Sequence, residues 1–167
     1  MIYAFDTYYF DKKAKTVCLG FKHWTDSEAS VTLSETIASD EDYEPGAFYK
    51  KELPCIMNLL KRIDLLPEDL IVVDGYAILD DDGKIGLGGH LYEMLDRIVG
   101  VIGVAKTNFV RNQKNKREVF RGVSKNPLYI SAIGTNLDQT SQNIKRMHGE
   151  HRIPTLLKKL DQLTRCF

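Results

Sequence analysis

Two short apolar runs, Ile2-Tyr3-Ala4-Phe5 and Leu70-Ile71-Val72-Val73, each lead straight into an aspartate, Asp6 and Asp74. A short continuous apolar run suits a strand buried on both faces, and such strands lie inside a sheet that helices cover on both sides. Each strand would end by delivering a carboxylate. Residues 16–24 and 30–36 carry the β-branched and aromatic residues of strands, which makes the N-terminal part a three-strand meander. Residues 38–45 are too polar for core and close in the turn signal Pro45-Gly46. From Lys51, the residues Leu53, Ile56, Met57, Leu60 and Ile63 recur at helical steps, with Pro54 where a first turn tolerates proline. Glu52 opens that helix at a point where it can face both aspartates. The alternation continues with a helix over 90–99, a buried strand over 101–105, a strand pair over 118–123 and 128–133, and helices over 137–147 and 154–163. The expected fold is α/β: a mixed sheet, a three-strand meander followed by alternating strands and helices, flanked by helices.

A chain of 167 residues that is 43% hydrophobic can bury one real core, so a single domain spanning 1–167 is expected. No apolar run is long enough to cross a bilayer and the N-terminus has no signal-peptide pattern, so a cytoplasmic protein with no membrane partner is expected, acting as a monomer. Cys18, Cys55 and Cys166 have neither disulfide-framework nor zinc spacing. The formal net charge of zero argues against coating nucleic acid by bulk attraction, but the charge is unevenly spread. Lys106, Arg111, Lys114, Lys116, Arg117, Arg121 and Lys125 face the single acid Glu118 in that stretch. Such a segment either tracks phosphates or is a solvated loop.

Hard divalent cations prefer carboxylate oxygens and keep some water, so acids gathered from separate elements suit a metal that must also meet a phosphate. Asp6, Glu52 and Asp74 are the candidate ligands, for Mg2+ or alternatively Mn2+. Taken singly, each is more often a turn former or a cap.

Their order and context resemble the endonuclease V family. Asp6 is followed by Thr7-Tyr8; Tyr43-Glu44-Pro45-Gly46 matches a Tyr-x-Pro-Gly segment with Glu52 six residues beyond its glycine; Val73-Asp74-Gly75 matches a strand end; and His90, then Asp96, precede Gly103-Val104-Ala105-Lys106. The resemblance implies a ribonuclease H-like fold and a metal-dependent endonuclease. Its substrate would be DNA or RNA containing inosine or other damage, cut at the second phosphodiester 3′ of the lesion to leave a 3′-hydroxyl and a 5′-phosphate. It also implies catalytic roles for Asp6, Glu52, Asp74 and Lys106, a base wedge at Tyr43 with Pro45 and Gly46, and substrate contacts at Gly75 and His90.

The chain departs from the family where Ala77 replaces a pocket glycine and Asp80 a histidine. The C-terminal motif is represented only by residues 133–138, where Asp138 either supplies the last carboxylate to the metal or belongs to a helix cap. Plainer readings stand beside the others: Lys106 as an exposed strand-end lysine, Tyr43 as a loop tyrosine, His90 as a helix-start residue, Gly46 and Gly75 as turn glycines. The alternatives to the inosine-directed enzyme are a nucleic-acid-binding module that has lost turnover and a ribonuclease H-like nuclease without inosine preference.

Overall fold

The computed structural model describes residues 1–39 and 47–167. In chain order its elements are β1 (Ile2–Phe10), β2 (Lys13–Phe21), β3 (Val31–Ala38), α1 (Tyr49–Leu60), β4 (Leu70–Asp74), α2 (Leu87–Met94), β5 (Gly100–Ala105), β6 (Arg117–Val119), β7 (Leu128–Ile133), α3 (Leu137–Arg146) and α4 (Thr155–Thr164). The strands form one mixed sheet in the order β3-β2-β1-β4-β5-β7-β6. The β1–β4 and β4–β5 pairs are parallel and the others antiparallel.

Alternation along the central strands divides the core in two. Ile2, Ala4, Val72 and Ile102 pack with Ile144 of α3 and Leu156 and Leu160 of α4. Tyr3, Phe5, Ile71, Val73 and Val101 pack on the other face with Leu53, Ile56 and Leu59 of α1 and Leu91 of α2. Both faces of the central strands are therefore covered, which is why these strands read as unbroken apolar runs. Among the described residues no helix is long and apolar enough to cross a membrane.

Several boundaries differ from expectation, β2 and α1 among them, and three of the differences have a clear local cause. The first strand does not stop at Asp6 but runs four residues further, to Phe10. Its partner β2 follows a two-residue turn in which Asp11 and Lys12 both have positive φ, 44° and 58°, the primed-turn geometry whose twist matches that of a hairpin. The helix expected over 90–99 instead spans Leu87–Met94. It stops because Asp96 and Arg97 turn left-handed, at φ 55° and 60°. It starts early, through Gly88, because a Cβ there would lie 2.9 Å from the Ala77 Cα, so only glycine lets α2 approach so closely.

The third difference is β6, which ends at Val119 because Arg121 turns inward. Only 4% exposed, its guanidinium donates to the carbonyls of Lys145, Met147, Gly149, His151 and Arg152, tying the stretch between α3 and α4 to the end of β6. Lys116, also buried, donates to the Asn108 side chain and the Phe109 carbonyl and lies over the Tyr129 ring. The basic segment is thus partly internal scaffolding, neither wholly a phosphate track nor a solvated loop. Replacing Arg121 with Met should lower the unfolding free energy by roughly 3 kcal/mol or more, since each carbonyl left without its donor costs ~1–3 kcal/mol. Urea unfolding of parent and variant measures this.

Candidate active site

Parallel pairing of β1 with β4 ends at Phe5 and Val73, so Asp6 and Asp74 come next, side by side, on the face that α4 covers. There β4 ends, and Gly75, with φ at 132°, turns the chain away while β1 runs on. The parting of the two strands opens a notch at the carboxyl end of β4, where open α/β sheets commonly bind ligands. Glu52 enters from the first turn of α1. Lys106 directly follows β5 and places Nζ 3.3 Å from Asp74 Oδ2, both side chains being about two-fifths exposed. Asp6, Glu52, Asp74 and Lys106 line one pocket together with Tyr8, Asp161 and Arg165.

This pocket is electrostatically unsatisfied. Asp6 is 9% exposed and Glu52 4%. Burial, then the charge of Asp74, pushes Asp6 up to about 7, against the pull of the Thr7 N–H, which it accepts at 2.9 Å, and of Lys106. Burial, then Asp6 and Asp74, pushes Glu52 up to about 8. Desolvated carboxylates that face one another near neutral pH must keep protons or gain a cation. The donor set, all hard oxygens, fits Mg2+ or Mn2+ rather than a thiophilic metal. Among the described residues no three acid, histidine or cysteine side chains already surround one ion-sized position, so the site is a convergence of acids rather than a closed cage.

The sequence over residues 1–162 matches the family model for endonuclease V. The chain belongs to the endonuclease V family. The endonuclease V of Nostoc punctiforme is 27% identical over 126 residues, 74% of this chain and 54% of that protein, so the chain spans about half the length of this curated relative. Among solved structures, Ciona intestinalis endonuclease V in complex with a 24mer DNA containing an inosine followed by a ribo-adenosine superposes with a TM-score of 0.78 at 16% identity, covering 98% of this chain and 84% of that one. Human endonuclease V gives 0.74 at 21% identity, with 98% and 82% covered. These likenesses show the fold, which is ribonuclease H-like.

Against the endonuclease V pattern, the structure brings Asp6, Glu52, Asp74 and Lys106 together, with Gly75 beside them. Tyr43, Pro45 and Gly46 lie outside the described residues. His90 sits on α2 and stacks its ring on Tyr49, centroids 3.8 Å apart and planes at 8°, and does not line the carboxylate pocket. Asp138 stands in the first turn of α3, where its carboxylate accepts from Arg117 Nε at 2.7 Å. The cap of that helix is Asn136, which accepts from the Gln139 N–H.

The acid that joins the pocket is Asp161 of α4, which also raises the Asp6 pKa. The sequence signal for it was slight: an acid one turn beyond Leu157, on the side of an amphipathic helix that turns toward the sheet. The two departures from the family also find local explanations. Ala77 is fully buried against Gly88, so its methyl group fills a helix contact and does not crowd a surface pocket. Asp80 accepts from the N–H groups of Asp82 and Lys84 and shapes its own turn.

The pKa shift at Glu52 has a consequence for stability. Between the unfolded-state value near 4.5 and the folded value near 8, the native metal-free chain keeps a proton that the unfolded chain has lost. Stability should therefore fall as pH rises through that window and level off above it. Glu52→Gln should remove this contribution, on the order of 1.4 kcal/mol for each pH unit within the window. In EDTA the variant should become progressively more stable than the parent up to about pH 8, as thermal unfolding at a series of pH values would show.

Proposed function

We propose that this chain is a metal-dependent endonuclease that hydrolyses a phosphodiester in inosine-containing or otherwise damaged DNA or RNA. It cuts at the second phosphodiester 3′ of the lesion and leaves a 3′-hydroxyl and a 5′-phosphate. The observation that carries the reading is the pocket in which buried Asp6 and Glu52 meet Asp74 beside Lys106. A pocket that favours positive charge suits a phosphate only through a cation that both sides share. The Ciona relative bound to inosine-containing DNA supports the substrate class.

Asp6, Glu52 and Asp74 would hold Mg2+ or Mn2+, with Asp161 as the adjoining fourth carboxylate. When bound, such a cation polarises the phosphate and lowers the pKa of the attacking water. Lys106 is exposed enough to exchange Asp74 for a phosphate oxygen, so its ammonium meets the charge that builds up during attack. Arg165, held by Asp161 at 3.2 Å, keeps that carboxylate oriented at the pocket mouth.

End-labelled single-stranded DNA and RNA carrying one central inosine, with adenosine controls, test the proposal in Mg2+, Mn2+ or EDTA. The expected product is a single metal-dependent cut one nucleotide past the inosine, abolished by Asp74→Asn. Cutting that ignores inosine would retain the nuclease and discard the base preference. Binding with no product in either metal would instead show a module without turnover. In the same assay Asp161→Asn should slow cleavage by about 10- to 100-fold, the usual cost of disturbing an outer carboxylate at a metal site. An unchanged rate would remove Asp161 from the site.

A further inference from the structure

Beyond Asp6, β1 continues past the end of β4, paired among the described residues with β2 alone, and carries Tyr8 and Phe10 on the same face as Asp6. Their rings lie 6.2 Å apart with planes at 14°. Phe167 joins them, its ring 4.0 Å from Phe10 and 6.1 Å from Tyr8, yet it remains 78% exposed. Cations frame the cluster. The Arg165 guanidinium lies 4.4 Å from the Tyr8 ring centre, and Lys15 Nζ lies 5.9 Å from that of Phe167. Lys12 and Lys13 stand exposed at the hairpin turn and outnumber the exposed Asp11 beside them. Tyr8 and Arg165 also line the carboxylate pocket, so the aromatic strip begins where the pocket ends.

We propose that Tyr8, Phe10 and Phe167 form a stacking platform for unpaired nucleobases of the substrate strand leaving the carboxylate pocket, with the flanking lysines meeting its phosphates. The inference rests on the proposed nuclease reading for the pocket but makes its own demand, that a single strand be gripped through its bases. Rings take any base, because every base has a π face, while the cations follow the backbone. An apolar protein partner would have no use for the exposed lysines at the turn. The platform therefore confers a preference for single-stranded over fully paired flanks without choosing a sequence.

The test is binding of fluorescently labelled single-stranded 20-mers to the full chain with Ca2+ as the cation, for the parent, Phe10→Ala and Phe167→Ala. Each substitution should weaken binding by about 5- to 100-fold, the range that loss of one base–ring stack produces. The loss should vanish with a 20-mer whose flanking positions are abasic. Phe167→Ala guards against misfolding, since its exposed ring contributes little to the core. Binding of both variants within twofold of the parent would overturn the platform, as would a loss that persists undiminished on the abasic strand. A chain that grips through the rings but cuts nothing would refute the nuclease reading and leave the platform standing; one that cuts with ring-independent binding would do the reverse.

Discussion

The site is governed by repulsion between carboxylates that the fold holds in a desolvated notch. Asp6 and Asp74 are adjacent because the parallel register of β1 and β4 leaves no other place for them, and Glu52 arrives because the apolar stripe of α1 seats its first turn over the same opening. Three acids held so close cost the metal-free fold stability, visible in the upward displacement of Asp6 and Glu52. Natural cores seldom keep such an arrangement without a compensating charge. Lys106 offers one positive charge at the rim, too little and too exposed to neutralise the set. A divalent cation is the simplest complement.

The rest of the molecule serves to hold that notch rigid and partly open. Helices on both faces fix β1 and β4, so the carboxylates inherit the precision of the sheet rather than the freedom of loops. Inward-turned cations tie loops to the scaffold: buried Arg121 of the basic segment clamps the approach to α4, and beyond that segment the half-buried Arg152 donates to the carbonyls of Lys106 and Pro127. Through these ties α4 is seated so that Asp161 and Arg165 border the pocket.

Much of this was legible in the chain itself. Apolar runs that end in acids revealed both buried strands and both aspartates, because burial on two faces leaves no alternation to blur the pattern. The helical stripe after Lys51 placed Glu52. What escaped were features decided by tertiary pairing. Residues 7–10 mix polar and aromatic side chains and belong to a strand only because β2 pairs with them. The glycines that open α2 argue locally against a helix and are required by its close approach to Ala77. Asp161 looks like any surface acid until α4 is docked, whereas Asp138, better placed in sequence, is drawn off by Arg117. Charge counting could not distinguish the lysines and arginines that turn inward from those that face solvent.

The central claim, that these carboxylates are a divalent-cation site, is tested most directly by calorimetric titration of Mn2+ into the full chain at pH 7 in two buffers of different ionisation enthalpy. Ligands whose protons are held by burial must release them when the ion binds. The account predicts saturable binding that releases a fraction to more than one proton per chain and is lost in Asp74→Asn. Binding that releases no protons, or survives that substitution unchanged, would contradict it.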